Sequence, residues 1–247
     1  MGKKLCLGIA TATAGLAILY RLGTRRGATF DEVRRTLPGD SLIPDPSVVT
    51  THAVTIHAPA GTIWPWLMQV GYHRGGWYTD SKIDEFSFDY FFKIIAAKDK
   101  KPVRRPSADR ILPQFQDLQI GDEVPDGPPG TVYYTVRMME TNRHLVFYSD
   151  TYDRVIIPGF VRGDGSDPII DNTWAFVLAE VDSETTRFIV RTRIRVKYKL
   201  VGLFFWPFLM LGESIFPILM LNGFKRRAEQ ATLTSLDQDA EKPQDTD

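Results

Sequence analysis

The sequence predicts an α+β domain in which a curved antiparallel β-sheet wraps around a long C-terminal helix. Two pairs of strand-like segments, each joined by a short polar turn, predict hairpins: 131–141 with 144–150, and 172–181 with 186–198. One long apolar segment, 200–221, follows the last strand and predicts the helix. Strands that are grouped together, with helices at the ends of the domain, indicate α+β rather than alternating α/β.

The earlier elements follow from local patterns. Segment 51–58 alternates in the manner of a strand, and 61–71 predicts a short helix. Its apolar residues recur at i, i+3, i+4 and i+7: Ile63, Trp66, Leu67 and Val70. Thr62 is the expected N-cap, which places Pro65 in the first turn, where its missing N–H costs nothing. A second helix is expected over 80–97.

The last strand has a strict period of two. One face carries Phe188, Val190, Thr192, Ile194, Val196 and Tyr198. The other face carries a basic stripe, with Ile189 as its exception: Arg187, Arg191, Arg193, Arg195 and Lys197. This alternation predicts one buried and one wet face, so the stripe is interpreted as solvated, with contact to anionic lipid headgroups as the alternative.

An uncharged run at the N-terminus, 5–20, predicts a membrane anchor. Lys3 and Lys4 precede the run and Arg21 follows it, so the charges do not fix its orientation. The run is slightly short for a spanning helix of about 20 residues, and a cleaved signal peptide is the alternative. No small-x-small cleavage site follows, which favours an uncleaved anchor on a membrane-associated protein.

The second apolar segment, 200–221, is apolar on every side of a helical wheel except at Glu213 and Ser214. Such a helix is deeply buried or lies in lipid. Pro207 and Pro217 argue against one straight spanning helix. The segment is therefore interpreted as a kinked helix in the membrane interface, with a core helix that contacts a partner as the alternative.

These observations divide the chain into four parts. Residues 1–26 are the predicted hydrophobic anchor, and 27–47 are a polar connector whose centre, Phe30 to Thr36, has the pattern of a short helix. Residues 48–234 are predicted to form the compact domain. Residues 235–247 are rich in Asp and Glu and almost lack apolar side chains, which predicts a disordered acidic tail.

The composition excludes several classes of function. The formal net charge is zero, so no overall field attracts nucleic acid. Cys6 is the single cysteine, which rules out an internal disulfide framework and a cysteine-based zinc site. His52 and His57 lie five apart on a predicted strand and point to opposite faces. We therefore expect neither a metal nor another cofactor.

The stretch "GYHRGGWYTD", 71–80, combines a glycine pair with aromatic and charged side chains. Its backbone amides and Arg74 are suited to bind an anion, and His73 or Asp80 are the candidates for acid–base chemistry. The alternative is a plain connector between two helices, in which only Arg74, Trp77 and Tyr78 contact a ligand. The second interpretation is favoured because no nucleophile motif surrounds the stretch.

Several motifs together resemble a known superfamily. They are "LPGD" (37–40), "HAVTIHAPAGTIWPWLMQVGYHRGGWYTD" (52–80), "ILPQFQDLQIGDEVPDGP" (111–128), "WAFVLAEVDSETTRFIVRTRIR" (174–195) and "FKRRAE" (224–229). The chain resembles the SRPBCC superfamily, with the helix-grip fold of START domains, the birch-pollen-allergen type and polyketide cyclase/dehydrase-like proteins. It looks closest to an uncharacterised bacterial branch, over about 37 to 229.

The resemblance implies a hydrophobic ligand held between the sheet and the C-terminal helix, with no catalytic set common to the superfamily. The predicted ligand contacts are aromatic residues of the early helices and the concave sheet face, with one arginine: Trp64, Arg74, Trp77, Tyr78, Tyr90, Tyr134, Phe147 and Trp174.

Three functions stay open at this point. The first is a membrane-associated module that binds a hydrophobic small molecule or lipid. The second is a cyclase- or dehydratase-like enzyme that acts on an aromatic or polyketide-type substrate through His73 or Asp80. The third is a non-catalytic membrane interaction protein without a pocket. No catalytic residue is assigned.

Overall fold

The computed structural model describes residues 23–79, 106–128, 130–153 and 166–240, with the side chains of the last helix from 212 to 235. Three helices and six strands follow in chain order: α1 (Phe30–Arg34), β1 (Val48–Ile56), α2 (Ala60–Met68), β2 (Glu123–Pro125), β3 (Tyr133–Glu140), β4 (His144–Ser149), β5 (Ile170–Asp182), β6 (Thr185–Val196) and α3 (Lys199–Ala240).

The six strands form one antiparallel sheet in the order β1-β6-β5-β4-β3-β2. Both predicted hairpins are present, as β3 with β4 and β5 with β6. The first strand pairs with the last one, so β1 and β2 are the edges. The predicted α+β class, with a curved antiparallel sheet around a long C-terminal helix, is confirmed.

The main core lies between the concave face of the sheet and α3. Phe176 of β5 and Phe188 of β6 are fully buried there, and they meet Met220 and Phe224 of the helix. The ring centroids of Phe188 and Phe224 are 5.1 Å apart at 81°. Each such side chain contributes about 1.5–3 kcal/mol by leaving water, which is why alternate residues of the two long strands are apolar.

Helix α2 buries the predicted face, with Ile63, Trp66 and Leu67 in the core. Its predicted N-cap is wrong. The cap is Pro59, three residues before Thr62, and Pro65 therefore lies inside the helix. Pro59 has φ −59°, so its ring already holds the backbone angle that entry into a helix requires, and it needs no N–H partner.

The connector covers the convex face of the sheet and neutralises part of the basic stripe. Helix α1 begins with a complete capping box between Thr29 and Glu32. Glu32 then lies 2.7 Å from Arg187, whose hydrogen bonds lower the pKa of Glu32 to about 2 against the opposing effect of burial. Arg191 is only 3% exposed. The expectation of a solvated stripe is wrong at these positions, because strand periodicity distinguishes two faces without identifying what covers each.

Several predictions fall outside the described residues. Most of the anchor (1–22), the helix expected over 80–97 and the end of the tail (241–247) are among them. Helix α3 runs to Ala240 and so includes the first residues of the predicted tail. Within the described part of the chain, no helix is both long and apolar enough to cross a membrane.

Candidate functional site

An aromatic wall lines the concave face near its β3–β4–β5 end. We define it as Trp77, Tyr134, Phe147 and Trp174, all of them buried. Phe147 and Trp174 are paired across β4 and β5, and the ring centroids of Tyr134 and Trp174 are 5.7 Å apart. Alternation along each strand brings these rings to one face. The structure therefore places together four of the residues that the sequence predicts as ligand contacts.

Trp77 reaches the wall from the loop that follows α2. A backbone bridge between Gly71 and Gly76 closes this loop, and Gly76 adopts φ 79°, which few other residues tolerate. The indole of Trp77 then lies 5.0 Å from that of Trp174, measured between ring centroids. Residues 71–79 thus form a connector whose apolar end carries Trp77 into the interior.

Arg74 stabilises the same loop. Its Nε donates to the carbonyl of Val70 at 3.0 Å, and one Nη donates to the carbonyls of Met68 and Phe115. Its guanidinium also lies 4.7 Å from the Phe115 ring centroid. Arg74 therefore binds carbonyls at the end of α2, where a cation complements the helix dipole. A ligand contact by Arg74 stays a prediction.

Behind the aromatic wall lies an interior polar cluster, which we define as Asp126, Tyr134, Tyr152 and Asn172. The Tyr152 hydroxyl donates to Asp126. Because that hydroxyl has one hydrogen, it accepts from the Tyr134 hydroxyl, 2.9 Å away. The Asn172 amide donates in turn to the Tyr134 oxygen at 3.2 Å. The four groups form one directed chain of hydrogen bonds that ends at a carboxyl group.

Local structure fixes the position of each member of the cluster. Asp126 directly follows β2, with its backbone N–H bonded to the carbonyl of Val132. Tyr152 is held by the turn after β4, in which the hydroxyl groups of Ser149 and Thr151 are 2.9 Å apart and Thr151 accepts from the backbone of Tyr133. Such side-chain bonds to neighbouring backbone fix turns that no ladder holds.

Burial shifts the protonation of the cluster. It raises the pKa of Asp126 to about 7, and the charge of Glu213 acts in the same direction. The Tyr152 hydrogen bond lowers that pKa less than burial raises it. The Trp77 N–H also lowers the pKa of Asp126, although this N–H makes no hydrogen bond of normal geometry. Asp126 is therefore poised to gain or lose a proton near neutral pH.

Three polar atoms at the wall and cluster are buried without a hydrogen-bond partner among the described residues. They are the indole nitrogens of Trp77 and Trp174 and the amide oxygen of Asn172. A buried polar group without a partner costs about 1–3 kcal/mol. Two donors and one acceptor thus lie beside a titratable carboxyl, an arrangement that a polar group of a bound molecule would satisfy.

Helix α3 contributes a second carboxyl group from the opposite side. Burial raises the pKa of Glu213 to about 7, and Thr50 donates to it at 3.4 Å. Its backbone carbonyl lies 2.9 Å from Nε2 of His52, so that nitrogen carries the hydrogen. Burial lowers the pKa of His52 to about 4, so this imidazole is neutral at physiological pH. The concave interior thus has two carboxyl groups that titrate together near pH 7.

The other predicted contacts are not part of the aromatic wall. Trp64 belongs to the same hydrophobic core as the four wall residues. Tyr78 is fully buried, donates to the carbonyl of Trp66 at 2.8 Å and stacks edge-on with Phe224. Tyr90 and Asp80 lie outside the described residues. His73 is exposed and stacks on Tyr72, away from the interior.

Sequence reasoning missed Asp126, Tyr152, Asn172 and Glu213 as interior polar residues. A signal existed for two of them. Asn172 occupies the same strand face as Trp174 and Phe176, so it is a polar residue at an inward position. Glu213 is the one charged residue of the apolar segment 200–221. Asp126 lies in "PDGP", a pattern that indicates only a turn.

Solved structures of similar fold include two enzymes. Zhui aromatase/cyclase from Streptomyces is 13% identical, with 75% of this chain and 95% of that chain covered and a TM-score of 0.36. Truncated norcoclaurine synthase from Thalictrum flavum is 11% identical, with 75% and 93% covered and a TM-score of 0.38. A Thermobifida fusca protein solved by NMR is 13% identical, with 74% and 93% covered and a TM-score of 0.39.

These proteins have helix-grip folds. The sheet order and C-terminal helix of the present chain confirm the resemblance that its motifs predict, at the level of fold. Identities and TM-scores this low carry no statement about activity or ligand. No protein-family profile matches the chain, and no curated protein matches it either.

Proposed function

We propose that this protein binds a hydrophobic, aromatic small molecule that carries a polar group, at the aromatic wall and the interior polar cluster of the concave sheet face. The observation that supports this most is the interior polar cluster, because three buried polar atoms beside it have no partner among the described residues. A core built only for stability would satisfy or omit such groups. A helix-grip fold is suited to the same role.

Two sets of residues would recognise two different parts of the ligand. The aromatic wall offers ring faces and edges, which favour an aromatic or flat apolar ligand. The polar cluster and the two unpartnered indole N–H groups select a group that both accepts and donates hydrogen bonds, such as a hydroxyl or carbonyl. Below about pH 7 Asp126 is neutral, which favours an uncharged polar group over an anion.

Titration calorimetry with 2-naphthol tests the proposal, since this compound combines an apolar aromatic body with one hydroxyl. Asn172→Leu removes polar atoms from the concave face at nearly constant volume. Its matched control is Thr173→Val, the next residue, which points to the convex face. We expect saturable binding by the wild type, a loss of affinity of about tenfold in Asn172→Leu, and little change in Thr173→Val. Equal binding by all three proteins would contradict the proposal.

Acid–base catalysis on such a ligand is the second candidate function. It is favoured by the connected groups Asp126, Tyr152 and Tyr134, which place a titratable carboxyl at the end of a hydrogen-bond chain. His73 is not suited to this role, because it is exposed. Native mass spectrometry of the purified protein identifies any bound compound, and incubation of that compound with wild type and Asp126→Asn distinguishes binding from conversion. Conversion of the compound by the Asp126→Asn variant would contradict acid–base catalysis by Asp126.

We further propose that the apolar run 5–20 holds the protein at a membrane. The support is in the sequence: the run is uncharged and has basic residues on both sides. Fractionation of cells that express the full chain or a chain without residues 1–22 tests this. The full chain should sediment with membranes at high salt and the shortened chain should not. Sedimentation of both chains with membranes would show that a segment other than 5–20 binds the membrane.

A further inference from the structure

The convex face of the sheet holds a cavity, on the opposite side of the sheet from the interior polar cluster. It lies between the connector and strands β1 and β6 and has a volume of about 520 Å³. Five arginines line it: Arg25, Arg34, Arg35, Arg191 and Arg193. Asp40 is the one carboxylate in this lining, and Thr36, Ser41 and Thr51 add hydroxyl groups. The lining therefore carries an excess of about four positive charges.

Arg191 is the rigid floor of this cavity. Its Nε donates to Thr51, and its two Nη groups donate to Asp40 and to the carbonyls of residues 32, 33 and 35. All five N–H groups are thus in use. Arg191 binds the end of α1 to the sheet and fixes the backbone from which Arg34 and Arg35 project.

The remaining arginines are less neutralised. Nη1 of Arg193 is 3.6 Å from Asp40, which already pairs with Arg191 at 2.8 Å. Glu32, an acid of the same connector, pairs with Arg187. Arg25 and Arg35 are exposed, and within the described parts of the chain neither side chain has a carboxylate at ion-pair distance. Five arginines held together with a single carboxylate raise the free energy of the empty cavity and favour an anion.

We propose that this cavity binds a phosphomonoester. Guanidinium groups match the oxygen geometry of phosphate, and the charge excess favours a dianion over a single carboxylate. The volume exceeds that of inorganic phosphate and lies in the range of small-ligand sites. The phosphate group has two possible sources, a soluble phosphorylated compound and the headgroup of phosphatidic acid. The site is independent of the function proposed for the concave face.

Calorimetry on the full chain with two compounds separates the sources. Glycerol 3-phosphate represents the soluble source, and dihexanoyl phosphatidic acid represents the headgroup in a monomeric lipid. The test variant is the double substitution Arg25→Gln and Arg35→Gln at the cavity rim. The matched control is Arg137→Gln with Arg143→Gln, which removes two exposed arginines from β3 and the turn after it.

We expect saturable binding with one site per chain, weakened at least about tenfold by the rim variant and unchanged in the control. Equal affinity for both compounds assigns the soluble source. Binding of the lipid alone, or a much higher affinity for the lipid than for glycerol 3-phosphate, assigns the headgroup. Unfolding temperatures near that of the wild type establish that both variants fold. Absence of saturable heat with both compounds, or equal loss in both variants, would overturn the proposal.

Discussion

The two faces of the sheet treat buried polar groups in opposite ways. On the convex face, Arg191 has a partner for every N–H, and the Glu32 carboxylate receives hydrogen bonds from Arg187 and from the backbone N–H of Thr29. On the concave face, a chain of hydrogen bonds ends at a carboxyl group with a raised pKa, and two indole nitrogens nearby have no partner in the described residues. The convex contacts hold the connector in place, whereas we propose that the concave groups bind a ligand.

Substitutions distinguish groups that hold the fold from groups that bind a ligand within one sheet. Charged groups that are fully paired stabilise only the arrangement in which they are paired, so their removal should cost stability. Polar groups that are partly satisfied cost free energy in the empty protein, so their removal should cost binding more than stability. The following predictions compare the two faces on this basis.

The largest effect is expected on the convex face. Arg191→Leu leaves Asp40 and three backbone carbonyls without their buried donor, and should lower the free energy of unfolding by about 3–5 kcal/mol. Urea denaturation measures this loss. The control is Arg143→Leu, whose pair with Glu140 is 72% and 51% exposed and should contribute less than about 1 kcal/mol. Similar losses of stability in both variants would show that the buried Arg191 contacts contribute no more than the exposed pair of Arg143 and Glu140.

The concave face should respond to pH in the opposite sense to a paired carboxylate. The folded protein holds the proton of Asp126 up to about pH 7, whereas the unfolded chain releases it near pH 4. Stability due to this group therefore falls as pH rises from about 4 to 7 and stays low above that range. Asp126→Asn lacks the effect, so its stability relative to wild type should rise by about 2–4 kcal/mol between pH 4 and pH 8.

Urea denaturation of wild type and Asp126→Asn at several pH values checks this prediction. Glu213 titrates in the same direction in both proteins, so only their difference reports on Asp126. A difference that does not change with pH would show that Asp126 is ordinarily ionised.

A smaller effect on stability is expected when the same substitution, tyrosine to phenylalanine, is made on each face of the sheet. Tyr134→Phe leaves the buried Asn172 amide without its acceptor and should cost about 1–2 kcal/mol. Tyr148→Phe removes one hydrogen bond to Asp171, which keeps two from Arg195, and should cost less than about 1 kcal/mol. Thermal unfolding of the two variants at one pH compares them. A larger loss for Tyr148→Phe would show that the buried Asn172 amide does not depend on the Tyr134 hydroxyl as its acceptor.

The smallest effect concerns the connector. Thr29→Ala removes the capping box of α1 and should lower stability by about 1 kcal/mol. Thr36→Ala, a substitution at an exposed threonine just after the helix, should change it by less than about 0.5 kcal/mol. Denaturation midpoints of the two variants make the comparison. No loss in Thr29→Ala would indicate that the arginines alone hold the connector.

Patterns that depend on neighbours in the chain were predictable from the sequence. Strand-like segments joined by short polar turns identified both hairpins, and the short helix expected at Phe30 to Thr36 is present as α1. The start of α2 was not predictable in this way. Thr62 is a residue type that often caps helices, but Pro59 already has the backbone angle that the start of the helix requires.

Features that depend on distant contacts were not predictable. The arginines of β6 are covered by a connector about 150 residues earlier in the chain, and no local pattern carries that information. The interior polar cluster joins residues from β2, β3, β5 and a turn, so its members look like ordinary turn and strand residues in the sequence. Asn172 was the exception, since its inward position followed from strand alternation.

The affinity of 2-naphthol for Tyr134→Phe and for Tyr148→Phe is the decisive test of ligand binding on the concave face. Both variants lose one phenol oxygen, from opposite faces of the same sheet. If the concave cluster is the ligand site, the dissociation constant should rise about two- to tenfold in Tyr134→Phe and stay at the wild-type value in Tyr148→Phe. Equal dissociation constants in the two variants would contradict the account.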